Sequence, residues 1–371
     1  MWVASPCLAT SYIQHNLVSD LTGVATHTDP NLVNPWGIVS SATSPFWVSD
    51  NRSGVSTLYN GGGTPRSLVV TIPPPAGGTP PSAPTGVVFN GTNDFQVAGP
   101  GTAAHFIFAT EDGTVAGWNS GTNAVREVDN SASGAVYKGL AIGNNGSGNF
   151  LYATNFNSAA IDVFNGAYSP TLLAGHFTDP NLPAGYAPFN IQNIGGTLFV
   201  TYALQDAAKH DDVAGAGHGF IDEFDLNGNL LKRFASNGVL NSPWGLAVAS
   251  ASFGSFANDL LVGNFGDGHI NAFDPSTGAF LGSLTDASNN PIAIEGLWGL
   301  RFGNGGNGGD PDTLFFSAGI PGPGGKVEDH GLFGSITVPD SGATLGLMVV
   351  GLGGLAACGC ALRSAQRASI E

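Results

Sequence analysis

Short apolar runs separated by glycine-rich polar turns recur along this chain at a spacing of about fifty residues. A four-residue motif marks each recurrence, and its third position is glycine in five copies and asparagine in one. The copies are Pro35-Trp36-Gly37-Ile38, Pro84-Thr85-Gly86-Val87, Tyr137-Lys138-Gly139-Leu140, Pro188-Phe189-Asn190-Ile191, Pro243-Trp244-Gly245-Leu246 and Leu297-Trp298-Gly299-Leu300. Successive third positions are 49, 53, 51, 55 and 54 residues apart, so six copies fill the chain.

Each copy predicts the same succession of strands. An apolar strand follows the motif, and a second begins at Phe46, Phe106, Phe150, Leu198, Leu260 or Leu314. The third ends in an aromatic residue followed by Asn or Asp in five copies, and a glycine turn leads into a fourth, such as residues 67–72 or 230–235. Four short antiparallel strands per fifty residues are typical of a propeller blade. The predicted fold is an all-β, six-bladed β-propeller over residues 12–337.

The two ends of the repeat array predict how the ring closes. The sixth copy ends its third strand near Ile336 and lacks a fourth, whereas residues 13–18 precede the first copy and have no blade of their own. We expect this N-terminal strand to complete blade six. Closure removes exposed sheet edges and suits a region without internal disulfides, since the cysteines are Cys7, Cys358 and Cys360. A parallel β-helix would need shorter coils, and two sandwiches would not give six evenly spaced copies.

Composition narrows the function classes. The 371 residues include 56 glycines. There are 11 Lys and Arg residues and 27 Asp and Glu residues, which gives a net charge of −16. Nucleic acids and anionic membrane surfaces need clustered basic residues, which this chain lacks, so nucleic-acid binding is excluded. Low charge with many glycines is typical of an exported all-β protein. No Gly-x-Ser-x-Gly or His-Glu-x-x-His motif occurs.

The longest predicted loops concentrate the ionisable residues. The segment from the start of strand two to the end of strand three is 27 residues long in blade four but only 13 to 15 residues long in blades one, two, three and five. Residues 319–329 enlarge the corresponding loop of blade six. In a propeller these loops lie on the same face as the connections between blades. The candidate ligand or metal residues on the loops of blades four to six are Asp206, His210, Asp211, Asp212, His218, Asp267, His269, Glu328, Asp329 and His330.

Imidazole and carboxylate ligands at that rim suit a divalent cation such as Ca, Mn or Zn, or a general acid and base. The alternative is a set of solvated acidic loops whose aspartates cap turns.

Two further patterns have a structural and a functional interpretation. Residues 28–32 and 178–182 share the sequence Thr-Asp-Pro-Asn-Leu, which predicts two identical turns or two elements flanking the channel mouth. The motif tryptophans Trp36, Trp244 and Trp298 predict packing between blades rather than a ligand platform.

The C-terminal region predicts a membrane span. Residues 343–362 contain no charged residue, and as a helix rising ~1.5 Å per residue they would reach ~30 Å, the thickness of a bilayer core. Arg363 and Arg367 follow as a membrane stop and favour a cytoplasmic C-terminus, which places everything before Val338 outside.

Val338-Pro339-Asp340-Ser341-Gly342, the apolar span and the basic end together resemble a bacterial C-terminal sorting tail of the VPDSG-CTERM type. That resemblance implies export, transient anchoring in the inner membrane, processing at the motif by an exosortase-type transpeptidase, and final residence in the envelope or outside the cell. The alternative is an ordinary single-span anchor. We interpret residues 1–11 as the remnant of a signal peptide.

The segments TDPNLVNPWGI, QDAAKHDDVAGAGHGFIDEFD, NFGDGHINAFD, EGLWGLRFGNG and EDHGLFGSI resemble an uncharacterised family of exported bacterial six-bladed propellers, whose members often carry PEP-CTERM-like tails. The blades are more distantly similar to NHL-type and lactonase-like propellers. The resemblance implies an exported propeller and no established activity.

Three functional hypotheses follow. The first is a surface-displayed binding module for an extracellular polysaccharide, matrix component or protein. The second is a metal-dependent hydrolase of lactonase-like type, with His210, Asp211, Asp212, His269 and His330 near the metal. A purely structural role in the matrix is the third. Convergence of those side chains near the channel would favour the enzyme.

Overall fold

A computed structural model describes residues 10–339, in which six sheets form the six predicted blades. Blade one comprises β3 (Pro35–Val39), β4 (Phe46–Asp50), β5 (Val55–Tyr59) and β6 (Val70–Thr71); blade two comprises β7 (Pro84–Phe89), β8 (Phe106–Thr110), β9 (Thr114–Trp118) and β10 (Val125–Asp129); blade three comprises β11 (Tyr137–Asn144), β12 (Asn149–Asn155) and β13 (Ala160–Asn165).

Blade four comprises β14 (Tyr186–Ile194), β15 (Thr197–Leu204), β16 (Phe220–Phe224) and β17 (Leu230–Ser236); blade five comprises β18 (Pro243–Val248), β19 (Leu260–Asn264), β20 (Ile270–Phe273) and β21 (Phe280–Ser283); blade six comprises β22 (Leu297–Phe302), β23 (Leu314–Ala318), β24 (Leu332–Thr337), β1 (Ile13–Ser19) and β2 (His27–Thr28). Two single-turn 3-10 helices, Ser131–Ser133 and Gly254–Phe256, are the only helical elements of residues 10–339.

The N-terminal strand closes the ring, which confirms the prediction. β1 pairs antiparallel with β24 from Ile13 opposite Thr337 to Ser19 opposite Leu332. The short strand β2 adds parallel to β1, so blade six has five strands rather than four. The outer edge of β24 is therefore covered by a segment more than three hundred residues away in sequence.

Blade three departs from the predicted four strands. Its sheet stops at β13, and Pro170 makes only an isolated bridge to Phe164. Proline has no N–H to donate to a ladder, so a fourth strand does not continue there. The N–H of Thr171 still donates to the oxygen of Val163 at 2.8 Å, but the backbone farther along bonds the next blade: the N–H of Gly175 donates to the oxygen of Asn227 at 3.0 Å, and that of Phe177 to Gly228 at 3.0 Å.

The third position of the repeat motif sets how closely the inner strands approach one another. A Cβ added at Gly86 would lie 2.4 Å from the backbone nitrogen of Leu140, and one added at Gly245 would lie 2.5 Å from the oxygen of Trp298. Glycine therefore lets consecutive blades meet backbone to backbone around the axis. Asn190, the exception, donates from Nδ2 to the oxygen of Trp244 at 2.6 Å.

The second motif position fills the centre of the ring. Trp36 and Trp298 stack with ring centroids 3.5 Å apart, and Trp244 meets Trp36 edge-on at 6.0 Å. All three are at most 4% exposed and belong to one buried cluster with Phe189. The tryptophans pack between blades, as predicted.

Among residues 10–339, no helix is both long and apolar enough to cross a bilayer. Most of the predicted tail, namely the motif residues Asp340 to Gly342, the span 343–362, Arg363 and Arg367, lies outside the described residues. So does most of the predicted signal-peptide remnant.

Candidate functional site

The inner strands all begin at one face of the ring, here called the upper face. Pro35 at the start of β3 pairs with Asp50 at the end of β4, so each inner strand starts beside the loop that joins strands two and three. Side chains early in the repeat motif therefore meet the long loops at the upper mouth of the channel.

A buried lysine lies at the centre of this mouth. Lys138, second residue of β11, is 2% exposed, and its ammonium donates to Oε1 of Glu111 and lies 3.5 Å from Oδ1 of Asp211. It also lies 5.1 Å from the ring centroid of Trp36. Glu111 opens the turn after β8, where its N–H donates to the oxygen of Ala83 at 2.9 Å. Three blades thus place charged groups at one point.

Asparagine side chains extend this network to blades one and six. Asn51 donates from Nδ2 to Oε2 of Glu111 at 2.7 Å, and Asn34 donates to Oε1 of Glu328 at 3.0 Å. Trp298 donates from Nε1 to Oδ1 of Asn34 at 3.1 Å, which ties the network to the aromatic centre. The channel-mouth cluster consists of Asn34, Asn51, Glu111, Lys138, His210, Asp211 and Glu328.

Two members of the cluster hold uncommon backbone conformations. Asn34 has φ 49° and Glu328 has φ 73°, in the left-handed region that non-glycine residues seldom adopt. Such conformations carry a free-energy cost and concentrate at functional sites and in tightly determined loops. The hydrogen bond between these two side chains fixes both loops at the mouth.

Electrostatics keep the central groups ionised. Burial alone would lower the pKa of Lys138, but the nearby carboxylates of Glu111 and Asp211 outweigh it, so this pKa lies above its ordinary value. The hydrogen bond from His210 and the charge of Lys138 lower the pKa of Asp211 to about 2. The same hydrogen bond, 2.8 Å from Nδ1 of His210 to Oδ1 of Asp211, raises the pKa of His210.

Glu328 has a different charge state. Burial and repulsion from Glu111 raise its pKa to about 7, although the hydrogen bond from Asn34 opposes the shift. Near neutral pH the carboxyl of Glu328 is therefore present both in its protonated form, which can donate a hydrogen bond, and in its ionised form, which only accepts. Asp211 stays ionised and only accepts.

The cluster also contains a possible set of metal ligands. Glu111, His210 and Asp211 each offer one ligand atom, and these atoms lie within 4.8 Å of one another. Carboxylate and imidazole are ligands that Zn and Mn accept. The ammonium of Lys138 already contacts both carboxylates, so a cation at this point would lie beside a like charge.

The remaining predicted residues of blade four hold their own loop. Asp206 accepts from the N–H groups of His210 and Asp211 at 2.9 and 3.2 Å, a turn-capping arrangement that lowers its pKa. Asp212 pairs through its backbone with Gln205, and burial raises the pKa of its carboxyl.

His218, Asp267 and His269 also make local contacts. Nδ1 of His218 lies 2.8 Å from the oxygen of Val213. Asp267 accepts from Nδ2 of Asn264 at 3.1 Å and lies 3.5 Å from Nδ1 of His269. These side chains organise the loops of blades four and five.

The last two predicted residues pair within blade six and with blade one. Nη1 of Arg52 donates to Oδ1 of Asp329 at 2.9 Å, and Nδ1 of His330 lies 2.6 Å from Oδ2 of Asp20. Of the ten predicted residues, the structure therefore brings His210, Asp211 and Glu328 into the channel-mouth cluster and places the others around it.

Four members of the cluster were missed by sequence reasoning: Asn34, Asn51, Glu111 and Lys138. One signal was available, because Lys138 is the only charged residue at the second position of the six motif copies. No comparable signal marks Glu111, which follows a strand in one of the short loops.

The repeated Thr-Asp-Pro-Asn-Leu segments form two equivalent turns. Asp29 accepts from the N–H of Asn31 at 3.0 Å, and Asp179 accepts from that of Asn181 at 2.8 Å. Each aspartate also anchors its own blade, Asp29 to the hydroxyl of Tyr59 and Asp179 to Arg233. The turn interpretation accounts for the repetition.

Comparison with known proteins identifies relatives of this chain among viral proteins. Uncharacterized protein R648 of Acanthamoeba polyphaga mimivirus is 35% identical over 304 residues, which is 78% of this chain and 74% of the relative. Uncharacterized protein L690 of the same virus is 34% identical over 296 residues, which is 76% of this chain and 77% of the relative. No family model matches the chain.

Solved structures agree with the propeller fold. A protein of unknown function from Bacteroides thetaiotaomicron aligns with TM-score 0.52 and 10% identity over 88% of this chain and 76% of its own. A streptogramin B lyase aligns with TM-score 0.50 and 12% identity over 90% of this chain and 100% of its own. At these identities the likeness is one of fold alone.

Proposed function

Since this chain belongs to the family of the mimivirus proteins R648 and L690, and those names give no activity, we propose its function from the channel-mouth cluster. We propose that the propeller is a binding module that captures a polyhydroxylated ligand, such as an extracellular polysaccharide or a glycosylated matrix component, on its upper face. The observation that carries the proposal is the network of Lys138, Glu111 and Asp211.

The chemistry of the cluster matches hydroxyl groups. A hydroxyl both donates and accepts, so its recognition needs fixed acceptors beside fixed donors. Asp211 supplies a permanently ionised acceptor, and His210 supplies an imidazole hydrogen-bonded to it. The buried ammonium of Lys138 holds Glu111 and Asp211 in place from below, which limits the ordering cost of binding.

Exposure shows which groups a ligand could reach. The side chain of Asp211 is 68% exposed and that of His210 is 46% exposed, whereas that of Lys138 is 2% exposed. The lysine is therefore a positioning group, and the histidine and aspartate are the contact groups.

Glycan-array screening followed by titration calorimetry of the full-length protein tests this proposal. The variant His210→Ala with Asp211→Asn should bind the selected glycan at least tenfold more weakly, because both contact groups lose their function. Asp274→Asn serves as the control, since Asp274 lies in the turn after β20, on the opposite face. Equal binding by both variants, or no glycan bound by the wild type, would overturn the proposal.

A second candidate is the metal-dependent hydrolase, favoured by the grouping of Glu111, His210 and Asp211. Thermal unfolding of the metal-stripped protein, with Ca, Mn or Zn added, tests it. A cation at ~100 times its dissociation constant stabilises the folded state by ~2.7 kcal/mol and raises the midpoint. A rise that disappears in His210→Ala with Asp211→Ala would support the metal site, whereas no rise with any of the three cations would contradict it.

We also propose that the module is displayed at the cell surface through its C-terminal tail. Residues 338–342 would be recognised by an exosortase-type transpeptidase while residues 343–362 span the membrane and Arg363 and Arg367 remain cytoplasmic. Mass measurement of the protein from the cell envelope of an exosortase-positive host should give a chain ending near the motif. A variant with Pro339→Ala and Asp340→Ala should keep its full mass, and an uncut wild type would contradict the proposal.

A further inference from the structure

The lower half of the channel contains a cavity of about 410 Å³ that shares no residue with the channel-mouth cluster. Every blade contributes the fourth residue of its repeat motif to the wall, and all six are aliphatic: Ile38, Val87, Leu140, Ile191, Leu246 and Leu300. Trp244 lines the same space. Polar side chains share the wall with these apolar groups: Ser40, Asn190, Gln192 and Asn193. A cavity of this volume with mixed walls is typical of sites for small organic molecules.

One side chain in the lining carries a charge. Arg301, on β22, donates from Nε to Oγ of Ser40 at 3.3 Å and from Nη2 to the oxygen of Ser40 at 3.1 Å. No other lining residue is ionisable, and within residues 10–339 no carboxylate forms an ion pair with this guanidinium. Burial lowers the pKa of Arg301, with no acidic neighbour to oppose it.

A guanidinium in this position is incompletely compensated. Arginine stays protonated in proteins, so it does not escape the cost of desolvation by losing its charge. The two bonds to Ser40 satisfy part of its five donors and leave Nη1 without a partner among the described residues. An anionic group brought into the cavity would supply the missing counter-charge.

The shape of the guanidinium narrows the class of anion. Its planar fork matches a carboxylate through two parallel hydrogen bonds, which are stronger than bonds between neutral groups. The six aliphatic side chains give the rest of the ligand an apolar surface to pack against, and Gln192 and Asn193 in the same wall can accept or donate further hydrogen bonds.

We propose that the lower cavity binds a small amphipathic carboxylate, with its apolar body against the ring of six aliphatic side chains and its carboxylate on Arg301. This site is independent of the upper face: the two lie on opposite sides of the central tryptophans, and either could exist without the other.

Titration calorimetry of the full-length protein with matched probes tests the proposal. Octanoate and 2-naphthoate carry the carboxylate on a linear and on an aromatic body, and 1-octanol and 2-naphthalenemethanol are their uncharged counterparts. At least one carboxylate should bind, and more tightly than its alcohol. Arg301→Gln should weaken carboxylate binding about tenfold or more and leave alcohol binding unchanged, because only the charged hydrogen bonds are lost.

Two further variants keep the result interpretable. Arg301→Lys keeps the charge without the fork and should give intermediate affinity, which also covers the case in which Arg301→Gln folds poorly. Arg66→Gln removes an exposed arginine outside the cavity and should bind as the wild type does. The proposal fails if neither carboxylate binds, or if carboxylate and alcohol bind equally and Arg301→Gln changes neither.

Discussion

The ammonium of Lys138 lies 3.5 Å from Oδ1 of Asp211, which joins the inner strand of blade three to the long loop of blade four. Glu111 of blade two accepts from the same ammonium. The lysine is almost wholly buried, whereas Asp211 is mostly exposed. The position of a solvent-exposed loop is therefore fixed by a charge inside the ring.

Removing that charge should destabilise the whole ring. In Lys138→Met, the carboxylate of Glu111 stays partly buried without its cation, and breaking a buried ion pair in this way costs roughly 3–5 kcal/mol. Urea unfolding followed by tryptophan fluorescence measures the change. Lys326→Met, at an exposed position in the blade-six loop, is the matched control and should change the free energy of unfolding little.

A second substitution identifies the cause. Adding Glu111→Gln to Lys138→Met removes the stranded charge and should restore part of the lost stability. If Lys138→Met unfolds at the same urea concentration as the wild type, the ion pair does not hold the mouth together.

Glu328 should make stability depend on pH. Its pKa in the folded state is about 7, above the ordinary glutamate value of 4.5, so the folded protein holds this proton more tightly than the unfolded chain. The resulting stabilisation is fully present below pH 4.5 and is lost as the pH rises through 7. Because the group is partly exposed, we expect the loss to be on the order of 2 kcal/mol.

The comparison that isolates this effect uses Glu328→Gln, which keeps an acceptor for Asn34 and cannot ionise. Its free energy of unfolding should exceed that of the wild type increasingly between pH 4.5 and 7.5, measured by urea titration at each pH. Glu295→Gln, at an exposed position, is the control. Parallel curves for the wild type and Glu328→Gln would show that Glu328 does not titrate in this window.

The repeat predicted the fold well because its signals are local. Motif spacing gave the blade number, and β4, β8, β19 and β23 begin at the predicted residues. The glycine turns and the aromatic residues at the ends of the third strands are local signals, and the position of a strand end also depends mainly on residues nearby in the sequence. Blade three was mispredicted because Pro170 makes only an isolated bridge to it and the segment around Gly175 and Phe177 bonds blade four, which no local pattern reveals.

The site was predicted only in part, because its contacts join residues that are far apart in the sequence. His210, Asp211 and Glu328 were found because they lie on unusually long loops. Glu111 lies on a short turn of blade two and joins them through the ammonium of Lys138, which also lies beside Asp211; this proximity follows from the packing of consecutive blades rather than from sequence distance. The charge at position 138 in a ring of otherwise uncharged residues was the one available clue.

Gly86 should not tolerate a side chain. The Cβ of Gly86→Ala would lie 2.4 Å from the nitrogen of Leu140 and 2.8 Å from the carbonyl carbon of Gly139, so the inner strands of blades two and three would have to separate. Such overpacking costs typically 1–3 kcal/mol, and contact with backbone places this case at the upper end, about 3 kcal/mol. Gly148→Ala is the control, since its nearest neighbours are ring atoms of Phe150 at 3.7 Å. Equal melting temperatures for the two variants would contradict the close approach of these strands.

Closure by the N-terminal strand should be separable from the rest of the ring. In a chain lacking residues 1–19, β24 would present an unpaired edge, and Phe333 would lose its contact with the buried side chain of Val18. We expect a lower melting temperature and concentration-dependent association, because an exposed edge pairs with other chains.

A synthetic peptide of residues 10–19 should restore the melting temperature by pairing with β24. The same peptide with Val18→Asp should fail, since the aspartate would enter a fully buried position. Ile13→Ala in the peptide should have little effect, because Ile13 is 44% exposed. A truncated chain that melts as the intact protein does would show that the strand pairing contributes nothing to stability.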